Sequence, residues 1–89
     1  MMYRVKDGFI IRKIGGCVMA VPVGAQTSEL HGMIALNESG EMLWGLLEKG
    51  TTQEELADAL QACYEVERSV ALDDAEKFID MLKEQGALL

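Results

Sequence analysis

The sequence predicts an α+β domain in which a small three-stranded antiparallel sheet packs on a unit of three helices. Three observations carry this. Runs rich in Ile and Val flank Gly15-Gly16 near the start, helical spacing of apolar residues begins after Asn37, and no linker, internal repeat or low-complexity segment divides the 89 residues. A chain of this length makes one domain, 1–89, with a sheet half over 1–36 and a trihelical half over 37–89.

The stretch "FIIRKIGGCVMAVPV", residues 9–23, reads as a β-hairpin, because Gly15-Gly16 accepts the positive φ angles of a two-residue turn. That register pairs Ile14 with Cys17, Arg12 with Met19 and Ile10 with Val21 on one face. Phe9, Ile11, Val18 and Ala20 share the other. Both faces are largely apolar, so alternation leaves open which of them meets the helices. Pro22 suits a strand end, where a missing N–H does no harm. Residues 24–32, "GAQTSELHG", are polar and glycine-bounded, a loop, and Met33, Ile34, Ala35 and Leu36 form a third, short strand. Lysine, proline or a bulge usually blunts a strand edge, and this strand has neither lysine nor proline. Its outer edge is therefore open to an added strand, unless the third helix or the C-terminal tail covers it.

Asn37 is a good N-cap, with Glu38 and Glu41 complementing the dipole of the helix that follows. Met42, Leu43, Leu46 and Leu47 make its apolar stripe, Trp44 lies at the edge of that stripe, and Gly50 ends it. Thr52-Gln53-Glu54-Glu55 has the pattern of a capping box, opening a second helix with Leu56, Leu60, Cys63 and Tyr64 along one face. "YEVE" leads to a third helix over residues 67–85, with Ala71, Ala75, Phe78, Ile79 and Leu82 inward. Gly86 stops it, and the apolar "ALL" tail folds back onto the core. The last two helices and their short turn resemble a helix-turn-helix.

Charge argues against nucleic acid. Residues 1–37 carry Arg4, Lys6, Arg12 and Lys13 against Asp7 and Glu29, whereas residues 38–89 carry a balance of −9. The third helix, the one that would read DNA, holds six acidic residues against Arg68, Lys77 and Lys83, and phosphate would repel it. No apolar run approaches the roughly 18 residues of a membrane span, and no secretory h-region opens the chain, so the expected location is the cytoplasm, away from membranes.

Catalysis finds little support. His31 lacks a serine or cysteine partner at recognisable spacing, and Gly15-Gly16 lacks the strand-to-helix context of a phosphate loop. Glu54, Glu55 and Asp58, like Asp73, Asp74 and Glu76, read as solvated helix faces. Cys17 and Cys63 have no CxxC spacing and read as small buried hydrophobes that stay unpaired. The methionines are mostly packing residues, with Met33 and Met81 suited to an adaptable groove.

The whole chain resembles the PqqD family of small peptide-binding proteins, also called RiPP recognition elements. The likeness runs through "GFIIRKIGG", "VPVG", "GMIALNESGEMLW", "GTTQEELADAL", "YEVE" and "DDAEKFIDMLKEQGALL", in that order. It implies a winged helix-turn-helix-like fold and a non-enzymatic role without a cofactor. That role is to hold the leader segment of a ribosomally made precursor peptide and deliver it to a modifying enzyme, often a radical S-adenosylmethionine enzyme. In the family the leader pairs with the third strand and lies against the third helix. This implies backbone pairing at Met33, Ile34, Ala35 and Leu36. Helical geometry then assigns the facing wall to Val70, Asp74, Lys77, Phe78 and Met81. A winged-helix regulator, acting through protein contacts or weak DNA binding, and a small adaptor subunit are the alternatives.

Overall fold

The computed structural model describes residues 1–23 and 33–89; the loop expected over 24–32, with His31, lies outside the described residues. In chain order the elements are β1 (Met2–Tyr3), β2 (Phe9–Ile14), β3 (Cys17–Pro22), β4 (Ile34–Leu36), α1 (Glu38–Lys49), β5 (Thr51–Thr52), α2 (Gln53–Cys63) and α3 (Arg68–Glu84). The main sheet is antiparallel in the order β2-β3-β4, which puts β4 at an edge. Gly15 and Gly16 take φ of 58° and 84°, as the two-residue turn requires, and the register is Ile14–Cys17, Arg12–Met19 and Ile10–Val21 as expected.

Burial decides what alternation left open. Ala20 is fully buried and Phe9, Ile11 and Val18 pack against the core, so this is the inward face. Ile10, Arg12, Ile14 and Cys17 stand exposed on the other. On β4 the same alternation buries Ile34 and Leu36 and exposes Ala35.

The signals that start the first two helices hold, whereas Tyr64, expected along the apolar face of α2, is instead its extended C-cap residue and exposed. Asn37 caps α1 by accepting from the Gly40 N–H at 2.8 Å, and Gly50, at φ 98°, ends the helix. Thr52 and Glu55 form both halves of the capping box that starts α2. Ala71, Ala75, Ile79 and Leu82 make the buried face of α3, with Phe78 half-buried beside them.

Three expectations change. Trp44 is fully buried with Leu47, Leu56 and Leu82, in the centre of the core rather than at its edge. Sheet and helix converge on it: Phe9 of β2 meets its ring edge-on at 5.1 Å, a contact no single-element periodicity reveals. Both cysteines are exposed. Cys17 falls on the solvent face of the hairpin, and Cys63 sits at the last turn of α2, past the point where that helix leaves the core. Finally, the start of the chain packs with the helical half. β1 pairs with β5, Val5 bridges to Leu88, and the Lys6 N–H donates to the Ala87 carbonyl at 2.8 Å. The tail therefore does fold back, with Ala87 fully buried, and among the described residues its backbone pairing is with the N-terminal segment.

Candidate functional site

The edge of β4 follows from its neighbours. In an antiparallel pair, residues that exchange hydrogen bonds alternate with residues whose peptide groups point away. The Val23 N–H donates to the Gly8 carbonyl at 2.8 Å, and Ile14–Cys17 closes the two-residue turn, so both ends of the hairpin set the same parity. Cys17, Met19 and Val21 thus direct their peptide groups to β2, while Val18 and Ala20 direct theirs to β4. The β3–β4 register is Val18–Leu36, Met19–Ala35 and Ala20–Ile34. Leu36 and Ile34 accordingly bond to β3, and the N–H and C=O of Ala35 face outward. Among the described residues no strand pairs with that edge.

A trench runs from this edge along α3. Its first part, about 800 Å³, is bounded by Ala35, Leu36 and Val18 of the sheet, Lys13 and Cys17 near the hairpin turn, Glu38 and Glu41 of α1, and Phe78 and Met81 of α3. A second part of about 400 Å³ shares Phe78 and Met81 and adds Asp74, Lys77 and Leu43. A third of about 380 Å³ closes the far end with Leu60, Tyr64 and Val66, sharing Asp74 and Glu38 with its neighbours. Asn37, at the junction of β4 and α1, lines all three.

Gly40 is a point of close side-chain approach from the Asn37 cap, Phe78 of α3 and Leu36 of β4. A Cβ there would come within 3.3 Å of the Phe78 ring and 3.6 Å of Leu36 Cδ2. The missing side chain lets the Phe78 ring lie between the buried core and the trench. Lys77 is exposed and bonds to Asp73 at 3.0 Å, and that hydrogen bond first, then the charge of Asp73, raises the ammonium pKa above its ordinary value.

The structure separates the sequence-predicted residues. Ala35, Leu36, Asp74, Lys77, Phe78 and Met81 come together around the trench. Ile34 is buried beneath the sheet, Met33 is exposed just before β4, and Val70 is exposed outside the trench lining, nearer the start of α3. Sequence reasoning missed Asn37, Glu38 and Tyr64 as trench residues. One partial signal was available: a glycine inside a helix is disfavoured by about 1 kcal/mol relative to alanine, which marks Gly40 and Gly45 alike, and only the structure shows a close approach at Gly40 and open space at Gly45. Among the described residues no cluster of His, Cys, Asp or Glu has the makings of a metal site, and no helix is long and apolar enough to cross a membrane.

An edge-open antiparallel sheet of three strands, followed by three helices of which the last two form a helix-turn-helix, defines a winged helix-turn-helix-like α+β protein. The chain belongs to the PqqD family: the family profile described as "Coenzyme PQQ synthesis protein D (PqqD)" matches residues 17–88. Among solved structures it is similar to TbiB1 in complex with the TbiA(beta) leader peptide, with a TM-score of 0.75 and 28% identity over 96% of this chain and 93% of that one. It also shares its fold with lasso peptide synthetase B1 complexed with the leader peptide, with a TM-score of 0.75 and 23% identity over 98% and 96% of the two chains. No curated protein matches the sequence.

Proposed function

We propose that this protein binds the leader segment of a ribosomally synthesised precursor peptide by β-strand addition and presents it to a modifying enzyme. In this reading the enzyme is of the radical S-adenosylmethionine type, which the family resemblance supports. The protein acts by binding, with no chemistry or cofactor of its own. One observation carries the reading: the outward peptide group of Ala35 lies beside a trench walled by Phe78 and Met81. Backbone pairing supplies affinity to an extended peptide with little choice of sequence, and side-chain pockets beside it supply the choice. A half-buried phenylalanine and a flexible methionine suit such pockets, since both present apolar surface and the thioether adapts its shape. The likeness to TbiB1, whose structure contains a leader peptide, supports the same reading.

The test is a titration of the purified chain with a fluorescently labelled candidate leader, taken from a short precursor peptide. Saturable binding to the leader, with none to the core segment of the same precursor, is the expected result. Equal binding of both segments, or of neither, overturns the proposal.

A further inference from the structure

Beyond the sheet edge the trench ends in a pocket of mixed character. Leu60, Val66 and Tyr64 supply apolar surface there, and the exposed carboxylates of Glu38 and Asp74 line the same space. Among the described residues neither carboxylate has an ion-pair partner. On α3, Arg68 pairs with Asp58 and Lys77 bonds to Asp73; Lys77 also feels the charge of Asp74 but makes no ion pair with it. Glu38 acts on Tyr64 across the pocket: partial burial first, then the charge of Glu38, raises the phenol above its ordinary pKa. The oxygen of the Asn37 side chain is already occupied, accepting from the Gly40 N–H at 2.8 Å and the Ser39 hydroxyl at 3.0 Å. The N-terminal end of α1 also lies here, and the negative charges of Glu38 and Glu41 offset its positive dipole.

A long basic side chain matches this lining. Its methylene stem covers apolar surface while its charged head stays at the wet rim, where two carboxylates wait. An acidic side chain is repelled there, and a short aliphatic one leaves the rim unused. We propose that this pocket is a subsite for a lysine or arginine of the bound peptide. That residue sits beyond the segment paired with Ala35, and the pocket selects leaders that carry it. The proposal rests on the strand-addition reading above and adds the chemistry of one leader position to it.

The experiment selects random peptides displayed on phage against the parent chain, against Ala35→Pro and against the isosteric double variant Glu38→Gln/Asp74→Asn. Circular dichroism checks that each variant keeps its helices. The parent is expected to select peptides with a Lys or Arg at constant spacing from an apolar anchor. A synthetic copy of one such peptide is expected to lose about fivefold in affinity when the cation becomes alanine, the scale of an exposed ion pair. The double variant loses the same amount, the two losses do not add, and both shrink with added salt. Binders that need an unblocked Ala35 but carry no basic residue at constant spacing, or that bind the double variant as tightly, overturn the subsite and leave strand addition standing. Binders retained on a folded Ala35→Pro chain, or no binders on the parent, overturn strand addition and the subsite with it.

Discussion

Burial of Trp44 joins the two halves of the domain. Its indole packs edge-on to Phe9 with the ring planes at 77°, and it shares the core with Leu47, Leu56 and Leu82. Trp44→Ala is expected to destabilise the fold by about 3 to 5 kcal/mol, and Leu60→Ala by about 2 to 5 kcal/mol. Urea denaturation followed by circular dichroism measures both, and a Leu60 variant as stable as the parent contradicts its place in the core. Phe78→Ala is expected to fall lower in that range, because part of the ring already faces the trench. The exposed thiols of Cys17 and Cys63 predict that a soluble maleimide labels two sites per chain without denaturant, which intact mass reads directly. Lys77 bears on pH. Its pKa is raised above the ordinary 10.5, so whatever its ion pair contributes is fully present below that value and is lost only as pH climbs through the higher folded-state value. Binding that uses the Lys77 charge is thus expected to be flat across neutral pH.

At the scale of elements, β4 is the one whose neighbours matter most. Ala35→Pro removes the single N–H that faces away from β3 and puts a ring in its place, while the bonded peptide groups of Ile34 and Leu36 stay where they are. Leader binding is expected to be lost, with the helical circular dichroism unchanged. Hydrogen exchange gives an independent reading: adding the leader is expected to slow amide exchange at residues 33–36 and along α3. Protection confined to the β2–β3 hairpin contradicts strand addition on β4. The capping box of α2 makes a control far from this edge. Thr52→Ala is expected to cost about 1 kcal/mol of stability and leave peptide binding intact once the chain is folded.

Across the whole molecule, charge is segregated. The balance of −9 over residues 38–89 covers α1, α2 and α3, so the helix-turn-helix presents phosphate with a repulsive surface. No shift of a DNA duplex is expected at physiological salt, and a salt-sensitive sub-micromolar shift contradicts that. The first and last residues of the domain are laced together away from the trench, by β1–β5 pairing and by the Leu89 N–H donating to the Arg4 carbonyl at 2.9 Å.

By itself the sequence determined the elements whose signals are local. A pair of glycines set the hairpin turn and with it the register, and Asn37 and the Thr52–Glu55 pair started two helices at the residues observed, because caps and turns act within a few residues of themselves. It also marked residues 33–36 as an edge without lysine or proline. Tertiary structure alone decided which hairpin face is buried, since both were apolar and only the helices choose between them. It decided that Trp44 is central, because that depends on Phe9, thirty-five positions away. It decided, finally, which predicted site residues meet: the parity of three strands turns the peptide group of Ala35 outward, and the absent side chain of Gly40 brings Phe78 beside it.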